Sequence, residues 1–304
     1  GTRRAQLAVA AAALALLLLV AVAGHTLLGG APFQPALADT AVKLAWRPGQ
    51  TVTYRMAVGL DGSTSVGAGG QTVPVRLSLQ GDETLRVVSV DAAGVATVQA
   101  SFSNFSGTAG GTRLPASAMP EPVTFQISSD GRVVSGDATG SGAGSLPGAD
   151  QVSAVLPPGE AHPGDSWTVS FDRPNPYGQG VLHYVTHDTF LRYEELGGVR
   201  TAVVQSQTTV PLAMTVDLGK LASLTGSKGA PSGSLPAGAG LQLSGSVDST
   251  ATSWVDPAGK DLRQTRVTSV FDIKMTVHGL AGAPAALAGG THMKGTETLS
   301  LTAT

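Results

Sequence analysis

From Lys43 onward the apolar residues of this chain recur at every second position, not at every third or fourth. That spacing belongs to strands with one buried face, because successive side chains of an extended backbone leave on opposite sides. Val52, Tyr54, Met56 and Val58 alternate with Thr53, Arg55 and Ala57, and Val73, Val75, Leu77 and Leu79 alternate with Pro74, Arg76 and Ser78. The two runs read as arms of a hairpin joined by a Gly-rich loop over residues 59–71. Pro74 has no N–H for a ladder, so it marks an edge or a bulge. Further strands are expected at 84–91 and 95–102. Val123, Phe125 and Ile127 then lead into Ser129-Asp130-Gly131-Arg132, a tight-hairpin signal. In the second half the strands are 181–185, 189–193 and 199–206, followed by a long hairpin of 246–255 and 262–278 around Asp256-Pro257-Ala258-Gly259. Val267, Ser269, Phe271, Ile273, Met275 and Val277 share one face of its second arm, and a closing strand at 293–301 pairs back onto that arm. Short helices are expected at 149–156 and 218–224.

The expected fold is therefore mainly β. Long antiparallel strands form a curved sheet or half-barrel with one or two short helices. Forty glycines and eighteen prolines, against only 13% charged residues, fit a chain of turns and strands.

The chain also repeats itself. Pro163-Gly164-Asp165-Ser166-Trp167-Thr168-Val169 echoes Pro48-Gly49-Gln50-Thr51-Val52-Thr53-Tyr54, and each copy sets a Pro-Gly turn before an alternating strand. Asp82-Glu83-Thr84-Leu85-Arg86 is matched downstream by His187-Asp188-Thr189-Phe190-Leu191. A diverged tandem duplication follows, with halves at about 42–156 and 157–304. Asp165 reads as an acid capping its turn. The Gly/Ser/Ala-rich stretch 135–148 reads as a linker, and 225–240 as a low-complexity loop that is either flexible or functional.

Arg3 and Arg4 precede a run over residues 5–23 that is apolar but for Gln6, then Gly29, Gly30, Pro32 and Pro35. This is a targeting segment, placing residues 39–304 on the extracytoplasmic side. Ala36-Leu37-Ala38 offers the small residues of a cleavage site, while the length of the run also suits an uncleaved membrane anchor, so residues 1–38 are a signal peptide or an anchor. Losing Arg3 and Arg4 would take the formal net charge from −2 to −4, and no basic stripe is left to follow phosphates, which excludes nucleic acid as a partner. With no cysteine, disulfides, thiolate zinc and thiol nucleophiles are excluded as well.

The remaining signals of chemistry are weak. No Gly-x-Ser-x-Gly elbow occurs, and Gly226-Ser227-Lys228-Gly229 lacks the ending of a phosphate loop. His183 and His187 share a strand face but lie about 13 Å apart, too far for one metal ion, and read as a solvent-facing pair. His278 and His292 could meet across the terminal hairpin, again as exposed groups. Asp82-Glu83 and Glu194-Glu195 point to alternate faces, so neither pair can flank one bond. Asn104-Phe105-Ser106 fits a glycosylation acceptor by pattern alone. Trp46, Trp167 and Trp254 read either as core plugs at sheet ends or as rim groups gripping an apolar or sugar ligand. No catalytic, cofactor-binding or metal-binding residue is assigned.

Trp46–Gly49, Leu156–Trp167 and Trp254–Lys260 carry a Trp/Pro-Gly start, a Leu-Pro-Pro…Pro-Gly-Asp-Ser-Trp centre and a Trp-Val-Asp-Pro-x-Gly-Lys hairpin. In these the chain resembles bacterial exported β-rich proteins with a Pro-Gly-Asp-x-Trp motif, themselves similar to lipoprotein-carrier (LolA-like) half-barrels. The resemblance implies a curved antiparallel sheet around an apolar cavity, and no ligand-contact residue carries over. The expected function is a non-catalytic envelope protein holding a lipid or other apolar ligand, needing no cofactor and touching the membrane through its N-terminal segment if that stays uncleaved. The alternatives are a cell-surface structural or interaction module, and a hydrolase with a dispersed pair of carboxylates.

Overall fold

The computed structural model describes residues 42–66, 71–115, 122–136, 154–174, 178–179, 181–217, 240–279 and 290–304. They form thirteen strands: β1 (Thr51–Val66), β2 (Gln71–Val90), β3 (Ala96–Ala109), β4 (Thr112–Arg113), β5 (Val123–Ile127), β6 (Val133–Gly136), β7 (Ser166–Pro174), β8 (Gly178–Gln179), β9 (Val181–Leu196), β10 (Val199–Asp217), β11 (Gly240–Asp256), β12 (Asp261–His278) and β13 (Thr291–Ala303). All belong to one antiparallel sheet, curved but not closed into a barrel, in the order β6-β5-β3-β2-β1-β13-β12-β11-β10-β9-β7. The short β4 and β8 add to β3 and β10. The chain thus starts mid-sheet at β1, steps outward to β6, crosses to the opposite edge at β7, and returns strand by strand to β13. There β13 pairs with β1 from Tyr54↔Ala303 to Val66↔Thr291.

The period of two decides which face is buried. Val52, Tyr54, Met56, Val58 and Leu60 of β1 point inward, as do Phe271, Ile273 and Met275 of β12 and Leu299 and Leu301 of β13. Their neighbours in sequence are mostly polar and lie on the outer face. Pro74 sits opposite Ser63 of β1, beyond the point where β3 begins to pair with β2 at Leu77, so its missing N–H removes no bond from that ladder. The Gly131 turn forms between β5 and β6, with φ at +85°.

Two segments without regular secondary structure close one end of the inner face. Leu44 N–H donates to the carbonyl of Ser129 at the β5–β6 turn, and the next residue, Ala45, donates to Lys260 at the β11–β12 turn. Adjacent residues are only about 3.8 Å apart, so hairpin ends separated by four intervening strands in the sheet order are brought together. That is a direct measure of how strongly the sheet curls. Bulges between Gln80 and Asp82, Val203 and Val204, and Trp254 and Val255 supply bends of the kind such a curve needs. The second segment, residues 154–157, lies on the return from β6 to β7. Its N–H groups dock on inner-face hydroxyls, Ala154 on Ser253 Oγ and Val155 on Ser206 Oγ, each at 2.9 Å.

Several expectations change. Residues 154–156 of the expected helix 149–156 are not helical and have no regular secondary structure. Pro157 and Pro158 disfavour a helical backbone before them, and the strap's N–H groups have found side-chain acceptors instead. Residues 149–153 and 218–224 lie outside the described residues, among which there is no helix. The loop expected over 59–71 is mostly strand: pairing with β13 and β2 carries β1 to Val66 in spite of its glycines. The targeting segment 1–38, the stretch 226–229 and most of 135–148 and 225–240 also lie outside the described residues.

The two Pro-Gly turns do the same work. Gly49 N–H bonds the carbonyl of Val87 while Val87 N–H bonds that of Gln50; Gly164 N–H bonds Phe190 while Phe190 N–H bonds Asp165. Both glycines hold positive φ, +81° and +99°. Nothing lies near the position of a Cβ at Gly164, so the cost of a side chain there is backbone strain alone. Gly164→Val is expected to lower stability by about 1–3 kcal/mol, read by chemical denaturation. An unchanged midpoint would show that the turn is not held in this conformation.

Candidate functional site

Side chains directly opposite one another on neighbouring strands form rows across the inner face. Most rows are apolar. One runs Val75, Gly62, Gly295, Phe271, Val247 and Val210, with the Phe271 ring lying over the Gly295 position so closely that a Cβ there would come within 2.7 Å of it. Two residues along, the next row is different in kind: Leu77, Leu60, Glu297, Ser269, Ser249, Thr208 and Thr186. From Glu297 to Thr186 every member of it is polar and buried. Ser249 donates to Ser269 Oγ at 2.8 Å. Glu297 is 2% exposed, and neither of its carboxyl oxygens has a hydrogen-bond partner. Burial pushes its carboxyl up to about 8, so at neutral pH it is mainly a protonated acid.

A second inward acid, Glu83, sits opposite Tyr54 on β1 and Phe102 on β3. It is fully buried, both oxygens lack partners, and burial holds its carboxyl well above the usual range. Tyr54 does not serve it, because the phenol O–H donates to the carbonyl of Leu262 at 3.0 Å.

Asp188 shows the contrast. It too faces inward, opposite Ser206 and Trp167. Ser206 and Thr186 donate their hydroxyls to it, the latter at 2.8 Å, and Ser206 in turn accepts the strap N–H of Val155. Burial lifts its carboxyl to about 6, with these hydrogen bonds pulling the other way. Its role is to fasten the strap. Glu83 and Glu297 fasten nothing.

Among the described residues, the basic groups of the central strands avoid this face; at its β7 edge Arg132, ion-paired with Asp130, lies 5.6 Å from the centre of the Phe171 ring. Arg55, Arg76, Arg266, Lys274 and Lys294 are exposed on the outer side. Arg263, at the β11–β12 hairpin end, is held between Asp256 and Asp261 at 3.1 and 3.0 Å.

The residues singled out in the sequence fall mostly outside the inner rows. His183 and His187 are exposed on the outer face, bonded to Asp172 and Thr168. His292 does not meet His278; its partner is Asp272 at 2.5 Å, a carboxylate the sequence reading had not given it. Asp82 and Glu83 point to opposite faces as expected, Asp82 taking a hydrogen bond from Asn104. Asp165 caps its turn by accepting from His162 N–H. Trp46 and Trp167 plug the strapped end, donating to the carbonyls of Ser128 and Val155. Trp254 instead lies buried under outer-face groups, bonded to Glu194 with Arg266 across its ring. Among the described residues no three acids or histidines gather to hold a metal ion, and no helix is long and apolar enough to cross a membrane. Glu297 was missed altogether. Its only sequence signal is an acid at an inward position of the alternation Met293, Gly295, Glu297, Leu299, Leu301.

Compared with known proteins, the chain matches no protein-family model and no curated sequence.

The buried acids set a pH dependence. The folded-state value of Glu297 lies above the roughly 4.3 of an unfolded chain. Between those values the native state keeps a proton that the unfolded state has lost, so stability falls as pH rises. Asp188 adds a smaller fall in the same direction between about pH 4 and 6. Asp272 acts oppositely: hydrogen bonds from His292 and Lys294 lower it to about 2, so its contribution is lost on acidification below about pH 4. Stability read by chemical denaturation is expected to peak near about pH 4 and decline toward pH 8, by an amount on the order of a few kcal/mol. Glu297→Gln should flatten the decline above about pH 6; a variant as steep as the wild type would place the proton elsewhere.

Proposed function

We propose that this protein is a non-catalytic binding protein of the cell envelope that holds a lipid or similar apolar ligand against the inner face of its curved sheet. The observation that carries the proposal is the pair of buried carboxyls without a hydrogen-bond partner, Glu83 and Glu297, on a face whose other buried acid, Asp188, is hydrogen-bonded. Buried polar groups in a core that serves stability alone are paired, because leaving them unpaired costs about 1–3 kcal/mol each. Groups left without a protein partner are a common feature of surfaces that meet something else. The unclosed sheet is consistent with this, as are the resemblance to lipoprotein-carrier half-barrels and the apolar N-terminal segment, which would put the domain outside the cytoplasm.

A second reading, an interaction module, draws on the outer face. Over the β1–β13 seam a shallow groove of about 430 Å³ runs past Ala57, Gly59, Ser78, Gln80, Arg266 and Thr298. Its lining mixes small and polar side chains with Val58, Leu79, Val267 and Leu299, a mixture that suits a protein contact.

Native mass spectrometry of the full chain, extracted mildly from a bacterial envelope, separates the two. Lipid-sized adducts that survive buffer exchange and vanish on organic extraction are expected. Apo protein alone, with a protein partner recovered by crosslinking, would overturn the carrier proposal in favour of the module.

A further inference from the structure

We propose that Glu297, Ser269 and Ser249 form the polar subsite of the inner face, and that it takes a lipid whose polar part is uncharged, such as an acylglycerol with ester carbonyls and a free hydroxyl. The inference rests on the binding function above and specifies its ligand.

The placement comes from register. Glu297 of β13 lies opposite Ser269 of β12, which lies opposite Ser249 of β11. Neighbouring strands are about 4.8 Å apart, so the three side chains span about 10 Å, the width of a glycerol with its ester groups. Apolar rows flank them on both sides. Gly295, Phe271 and Val247 lie along one, and Leu299, Val267 and Ala251 along the other. A polar strip between two apolar bands matches a molecule whose hydrogen-bonding centre carries hydrocarbon arms. Ser249 already donates to Ser269, which leaves the Ser269 hydroxyl hydrogen directed away from that bond. The two carboxyl oxygens of Glu297 have no partner.

The chemistry selects against charge. A protonated carboxyl has one O–H to donate and one carbonyl oxygen to accept, and a serine hydroxyl offers both. Those are the complements of an ester and an alcohol. A phosphate or a fatty-acid carboxylate would need a cation, and among the side chains described on these rows there is none. Lys294, three residues before Glu297, points to the outer face and is paired with Asp272 at 2.8 Å. An ammonium headgroup would have to ionise Glu297 inside an apolar face, which opposes the desolvation that keeps its proton on.

The test is a titration of the full chain in detergent, read by native mass spectrometry, with dioleoylglycerol, dioleoylphosphatidic acid and oleylamine as probes. The wild type is expected to bind dioleoylglycerol about tenfold or more tightly than either charged lipid. Glu297→Gln keeps a donor and an acceptor and should stay within about threefold of the wild type. Glu297→Leu should lose about tenfold in dioleoylglycerol affinity while melting at a higher temperature, since it removes a buried unpaired acid; the raised melting point also shows that the variant is folded. Unchanged affinity in Glu297→Leu, or a preference for phosphatidic acid or oleylamine, would overturn the subsite and leave the carrier function standing. A wild type that takes up none of the three lipids would overturn both.

Discussion

The pairing of β1 with β13 is the constraint on which the rest of the structure depends. It joins residues 225 to 249 positions apart in the chain through thirteen consecutive partners. Without it β1–β6 and β7–β13 would be two separate sheets, with β1 and β13 left as long exposed edges. Because the chain must return to its own start, β12 and β13 are placed on the far side of β1, and the inner face becomes continuous from β3 to β9. The same pairing puts Glu297 beside Leu60 and sets Gly62 against Gly295 beneath the Phe271 ring. Long-range closure of this kind carries a high entropic cost before any contact rewards it. The docking of the strap on Ser206 and Ser253, and of residues 44–45 on two hairpin turns, adds contacts that exist only once the whole sheet has curled.

Much of the fold was legible in the sequence because alternation and turn chemistry are local. The period of two gave the strands, Asp130-Gly131 gave a hairpin, and the repeated Pro-Gly turns gave two strand starts whose backbone bonds match. What was not legible depended on partners distant in sequence. The non-helical state of residues 154–156 reflects hydroxyl acceptors on Ser206 and Ser253, 51 and 99 positions away. The length of β1 reflects ladders on both its sides. The polar row was invisible for the same reason: Glu297, Ser269, Ser249 and Thr208 are unremarkable one at a time and become a row only when three registers are known. The histidines and paired acids that stand out along the chain lie mostly on the outer face, where such residues are ordinary solvated groups. The informative acids were solitary ones at inward positions.

The inner acids differ from each other in a way that bears on function. Asp188 has two hydroxyl donors and holds a piece of backbone in place, so its burial is offset within the protein. Glu83 and Glu297 have no such return, and the usual net stability of a domain is only about 5–15 kcal/mol. Two uncompensated buried carboxyls consume a noticeable share of that. Replacing either by an apolar residue of similar size would relieve the cost, because the surrounding rows are already apolar. That the chain keeps them argues for a role outside folding, which the proposed ligand would supply.

The two ends of the inner face are also unlike. Near residues 42–46 and 154–157 it is sealed by Trp46, Trp167 and the strap, with aromatic N–H groups fixed on backbone carbonyls. Toward the other end the inward residues include Met214, Met275 and Met293, beside Leu243 and Ile273. Methionine is unbranched and polarisable, and it adapts to irregular apolar shapes at little cost. A face pinned by tryptophans at one end and lined by methionines at the other is rigid where the fold must close and adaptable where hydrocarbon would lie. The Glu297 row falls between the two. A ligand held there by its polar centre would direct its longer apolar arms toward the methionines, since the strap already fills the opposite end.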